Sequence, residues 1–119
     1  MKFRATPRLS GKVLVVDMSG SLVLGEGSAS LRTAVHNYID QGHLHILLNL
    51  EQVNHLDSSG IGELVSAYTA VKRAHGDLKL EKLSRAVDSA LIITRLYTVF
   101  DIHTDEATAI ASFAATIPA

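Results

Sequence analysis

A chain of 119 residues, 47% apolar and only 5% aromatic, is long enough for one buried core and too apolar for a disordered segment. Its formal charge of −1 is scattered with no basic stripe, so nucleic acid is not the expected partner, and the absence of cysteine removes disulfide frames and thiolate metal sites. No apolar run approaches the roughly 20 residues that span a bilayer, and no signal core follows Met1-Lys2-Phe3-Arg4-Ala5, which together read as a soluble cytoplasmic protein without membrane insertion.

Residues 3–8 are extended in character, and Pro7, which has no ladder donor, places them at a sheet edge. Ser10-Gly11 is a tight-turn signal before the first strong strand, residues 12–18, so the two segments read as a hairpin. Residues 20–27, with three glycines, read as a loop. From Ser28 the apolar spacing becomes helical through Leu31, Val35, Tyr38 and Ile39, and Gly42 marks the stop. Residues 44–50 form a short apolar run suited to a strand buried on both faces, followed by a short polar loop.

Ile61, Leu64, Val65, Tyr68 and Val71 give the next helical stripe, closed by His75-Gly76. Residues 78–83 alternate apolar and charged side chains, the pattern of a half-buried strand. Ser84 is the expected N-cap of a helix reaching Arg95, and residues 99–103 form a last short strand. Thr104 is the expected cap of a final helix, whose first turn sets Asp105 and Glu106 against the positive end of the macrodipole. The order β-β-α-β-α-β-α-β-α over residues 1–119 predicts a single α/β domain: a mostly parallel mixed sheet with an N-terminal β-hairpin and about four helices.

The segment with chemistry on it is 49–64, from the buried strand to the start of the second helix. In an open α/β sheet, ligands and partners are met at the carboxyl ends of strands. Asp57, Ser58 and Ser59 stand at helix-start positions, where side-chain oxygens accept from unpaired backbone donors. Gly60 and Gly62 remove bulk from the first turn, so a backbone or a phosphate can come close. Taken alone, these residues read equally as a plain helix cap, and they do not choose between the two serines.

The pattern Leu47-Leu48-Asn49-Leu50 followed by Asp57-Ser58-Ser59-Gly60-Ile61-Gly62 resembles the signature of the STAS domain, and within it the bacterial anti-sigma factor antagonists. The likeness continues through Gly76-Asp77-Leu78-Lys79-Leu80, the Ser84 helix, and Val99-Phe100-Asp101-Ile102 leading to Thr104-Asp105-Glu106-Ala107. It implies a regulatory binding protein rather than an enzyme, with no catalytic residue, cofactor or metal. By position Ser58 is the implied phosphoacceptor. Asp57, Ser59, Gly60, Ile61 and Gly62, with Ser21 and Leu22, are the implied partner contacts. The implied partners are an anti-sigma factor that is itself the serine kinase, and a phosphatase acting on the phosphorylated form. Partner switching of this kind controls sigma-factor-dependent transcription.

One segment departs from that family: where members carry an acidic Gly-Glu-Leu/Ile-Asp loop, this chain has Gly20-Ser21-Leu22-Val23, with no carboxylate before Glu26. His55 also stands where an apolar residue is usual. The departure supports an alternative reading, a STAS subunit that is a structural or sensing part of a larger assembly, stress-signalling or transporter-associated, without reversible phosphorylation. A phosphoreceiver is the remaining alternative, suggested by Val13-Leu14-Val15-Val16-Asp17 but opposed by the preceding hairpin and by Met18 in place of a paired acid. His43, His45 and His55 lack a third ligand at short spacing for a metal, and Gly-x-Ser-x-Gly of a serine hydrolase is missing.

Overall fold

A computed structural model of the chain, describing residues 2–117, begins with the expected hairpin. Strand β1 (Arg4–Ser10) runs antiparallel to β2 (Val13–Leu22) around a two-residue turn, where Gly11 has a φ of +61° that a residue without Cβ adopts freely. There follow α1 (Glu26–Asp40), β3 (His45–Leu56), α2 (Ser58–Arg73), β4 (Asp77–Glu81), α3 (Arg85–Thr94), β5 (Ile102–His103) and α4 (Glu106–Ser112). The sheet order is β1-β2-β3-β4-β5, with β2 to β5 parallel. The α/β class and element order expected from the sequence are those observed.

A strictly sequential parallel order has one consequence. Right-handed crossovers that all step the same way place α1, α2 and α3 on the same face of the sheet. The main core lies there: Leu31, Val35, Leu64, Val71, Val87 and Leu91 pack on Leu14, Val16, Ile46, Leu48, Leu78 and Leu80. The alternate residues Val13, Val15 and Leu47 point to the other face, where Ala109 and Phe113 cover them. Helix α4 and the 3-10 turn Phe113–Ala115 that follows it are therefore the elements that cover that side.

Several boundaries differ from the sequence reading. Strand β2 continues to Leu22 and α1 begins at Glu26, so the expected loop at 20–27 shrinks to residues 23–25. Strand β3 continues to Leu56 through what reads as a polar loop. The register with β2 slips between Asp17 and Ser19 and again between Gly20 and Ser21, and these irregularities break the alternation of exposed and buried side chains on which a strand is recognised. Strand β5 is confined to Ile102–His103, because Leu96–Thr98 form a 3-10 turn after Arg95. Asp105, not Thr104, caps α4, its carboxylate accepting the Thr108 N–H at 2.8 Å and the Thr108 hydroxyl at 2.7 Å. Lys79 and Glu81, read as the wet side of a half-buried strand, are buried under α4.

Candidate functional site

Strand β4 stops at Glu81, level with Asn49 of β3. Beyond that level β3 pairs only with β2, from Ser19↔Gln52 to Leu22↔Leu56, and the pair projects past the rest of the sheet at its carboxyl end. A lone two-stranded ribbon is marginal in water. Here Leu50, Val53 and Leu22 are buried beneath it, and the start of α3 supports its free side. The Ser84 hydroxyl donates to the Val53 carbonyl at 2.6 Å while accepting the Val87 N–H at 3.2 Å, so the expected N-cap of α3 also holds the ribbon.

The tip of the ribbon is organised by Asp57. Its backbone is extended (φ −113°, ψ −174°), as an N-cap requires, and one carboxylate oxygen accepts the Gly60 N–H at 2.9 Å. The other accepts the Leu24 N–H, also at 2.9 Å, from the loop after β2. The Leu24 N–H, followed by that of Gly60, holds the Asp57 carboxyl below the usual carboxylate range. With its carboxylate committed to these two donors, Asp57 leaves Ser58 as the first residue of α2, exposed and without a hydrogen bond to its hydroxyl among the described residues.

The remaining expected contacts divide into two groups. Ser59 and Ile61 are half-buried, and Gly62 is exposed with open space where a Cβ would stand, so this face of the first turn is available. Gly60 and Leu22 are buried against each other: a Cβ on Gly60 would lie 2.0 Å from the Leu22 carbonyl oxygen. The close approach that Gly60 permits is therefore to the chain's own β2, and these two residues shape the tip from beneath. Ser21 is half-buried with its hydroxyl 3.5 Å from His55 Nδ1, and this pair occupies the strand end where an acidic loop is absent.

Sequence reasoning missed Leu24. It is 77% exposed, and its backbone N–H is held by the Asp57 carboxylate that caps α2. An exposed leucine between Val23 and Gly25 is its only local signal. The histidines do not converge, since His45 opens β3 and His55 lies near its other end, roughly 33 Å apart at strand spacing. A groove of about 600 Å³ runs between α1 and α2 past His36, Ile39, Thr69 and Arg73, and includes none of residues 57–62. Among the described residues no helix is long and apolar enough to cross a membrane.

A hairpin followed by sequential parallel strands, three helices on one face and an Asp-Ser-Ser-Gly helix start is the arrangement of a STAS domain. The sequence matches the STAS domain family over residues 5–109, and the chain belongs to that family. It is 40% identical over 53 residues to the anti-sigma-B factor antagonist of Bacillus subtilis (strain 168), a match taking in 44% of this chain and 49% of that one, so it spans about half the length of that curated relative. The fold is similar to that of an anti-sigma factor antagonist from Mycobacterium paratuberculosis, with a TM-score of 0.82 at 17% identity over 93% of each chain. It is also similar to the Bacillus cell fate determinant SpoIIAA in its phosphorylated form, with a TM-score of 0.70 at 20% identity over 93% of this chain and 98% of that one. At such identities the structural likeness is one of fold.

Proposed function

We propose that this STAS domain is an anti-sigma factor antagonist: it docks through the tip of the β2–β3 ribbon and the start of α2 onto an anti-sigma factor that is also a serine kinase, and phosphorylation of Ser58 ends the complex. The observation that carries this reading is the exposed, unengaged Ser58 hydroxyl at the first position of a helix capped by its neighbour Asp57. The similarity to a curated anti-sigma-B factor antagonist supports the choice of partner.

In the transfer, Ser58 Oγ attacks the γ-phosphorus of kinase-bound ATP. The bond from that phosphorus to the ADP oxygen breaks, ADP leaves, and the hydroxyl proton passes to a base on the kinase. The product adds roughly −1.5 to −2 charges beside the Asp57 carboxylate. The helix start offsets only about 0.3–1 kcal/mol of that charge. A hundredfold loss of affinity needs about 2.8 kcal/mol, and like charges pressed together in an interface cost several. One phosphate is sufficient to end the complex, and a phosphatase that returns the serine restores it. The chain is then a cytoplasmic, non-enzymatic switch acting on sigma-factor-dependent transcription.

Incubation with the cognate anti-sigma kinase and ATP, followed by mapping of the modified residue, tests this. Phosphate on Ser58 is expected. Modification elsewhere, or none, overturns the switch and favours a STAS subunit of a larger assembly, a reading to which the Ser21–His55 pair, standing where an acidic loop is absent, lends weight.

A further inference from the structure

The face of the sheet under α4 carries a row of polar residues in one register: Thr6, Asp17, Asn49, Glu81 and His103, one from each strand in order. Directly paired residues share a face, so the row lies on the side that α4 covers. Its middle, Asp17 and Asn49, is internally bonded. Arg8 donates to Asp17 at 2.7 and 3.2 Å and to Glu106 at 2.6 and 2.9 Å, and Asn49 donates to Asp17 at 2.9 Å.

Glu81 stands outside this network. It is 0% exposed, and neither carboxylate oxygen has a hydrogen-bond partner. A buried carboxylate without donors is costly, whereas a carboxylic acid is itself a donor, and the adjacent Glu106 carboxylate is an acceptor. Burial, and after it Glu106, push Glu81 up to about 7, while Arg8 keeps Glu106 below its ordinary value.

We propose that Glu81 is protonated in mildly acidic solution and donates a hydrogen bond to Glu106 that ties the start of α4 to the sheet, and that loss of this proton in mildly alkaline solution releases α4. The groups facing Glu81 are Arg8 from β1, Asp17 from β2, the uncharged Asn49 from β3, Lys82 beside it in the chain, His103 from β5 and Glu106 from α4. With Glu81 ionised, three carboxylates share Arg8 and Lys82. The remaining attachments of α4 begin with the two Arg8–Glu106 hydrogen bonds, which loss of the Glu81 proton leaves in place, and include the packing of Ile110. Ala109 and Phe113 pack on Val13, Val15 and Leu47, and Lys79 Nζ donates to the Ser112 carbonyl at 3.0 Å and hydroxyl at 2.8 Å. A helix of seven residues does not hold itself in water, so its folding follows its docking. Release uncovers a second apolar sheet face while leaving the main core, on the other side, intact.

The test is an NMR titration of the full chain from about pH 5 to about pH 9, reading the Glu81 carboxyl carbon and hydrogen exchange in α4, corrected for intrinsic base catalysis. Glu81 is expected to titrate near neutrality, and α4 protection to fall by about tenfold or more over the same range while α2 keeps its protection. Glu81→Gln is expected to remove the pH dependence, and His103→Gln to preserve it. An ordinary carboxylate titration of Glu81 in the unmodified chain overturns the proposal by itself, even if the Gln variant fails to fold. So does α4 protection indifferent to pH, loss of protection in α2 and α4 together, or a pH dependence that survives Glu81→Gln.

Discussion

The Asp57 carboxylate accepts the Leu24 N–H at 2.9 Å across 33 residues of sequence, joining the loop after β2 to the start of α2. Since its other oxygen accepts the Gly60 N–H, one side chain fixes both walls of the surface around Ser58. Asp57→Ala removes the cap and the tie together. We expect the melting temperature to fall by about 5 °C, measured by circular dichroism, with a larger loss in binding to the anti-sigma partner than in stability. Asp57→Asn retains one acceptor oxygen and is expected to fall between the two.

Gly60 and Gly62 are two residues apart in the same helical turn and should respond oppositely to alanine. A Cβ at Gly60 meets the Leu22 carbonyl at 2.0 Å, a backbone atom that moves only if β2 moves, so Gly60→Ala is expected to destabilise by about 2–3 kcal/mol. Nothing lies within 4 Å of a Cβ at Gly62, and Gly62→Ala is expected to stabilise by about 0.5–1 kcal/mol through helix propensity. Urea denaturation of both variants measures the pair. Equal effects would mean that the Gly60–Leu22 approach is not tight in solution.

Charge at position 58 is expected to govern the complex. Ser58→Asp should weaken binding to the anti-sigma kinase by about tenfold to a hundredfold in a titration calorimeter, while Ser58→Ala binds like the unmodified chain and takes no phosphate. Comparable affinities for the two variants would remove electrostatic repulsion as the release mechanism.

The pH dependence of stability has two limbs of opposite sign. Asp17 and Glu106, held down chiefly by Arg8, Asp57 by the Leu24 N–H, and Asp105 by the Thr108 N–H, all lie below their ordinary values of 3.8 and 4.5. The native state binds fewer protons at these sites than the unfolded chain, so their stabilisation is present above those values and is lost as pH falls through the lower folded ones. Glu81 acts the other way: its contribution is present below 4.5 and is lost as pH rises through about 7. Urea midpoints are therefore expected to peak between about pH 4 and pH 6. In Glu81→Gln the alkaline decline should flatten while the acid limb remains.

Much of this molecule is written locally. Ser10-Gly11 closes a hairpin because turn geometry involves only those residues and their neighbours. Ser84 caps α3, and Asp57 caps α2 at Gly60, because an N-cap reaches three residues along its own chain. The helical stripes and the order of strands are likewise set by periodicity over a dozen residues, and they imply which faces are apolar.

What the sequence by itself determined was the class of fold, the sequence of its elements, and the segment in which Ser58 stands. Tertiary structure alone decided how far β2 and β3 run on as a ribbon, that the Leu24 N–H is held by Asp57, that the bulk Gly60 lacks is taken up by Leu22, and that Glu81 is buried beneath α4. Caps and periodicities act between residues a few positions apart. Strand register and the burial of a charge depend on which distant segment arrives alongside, and no local pattern in residues 51–56 or 78–83 carries that information.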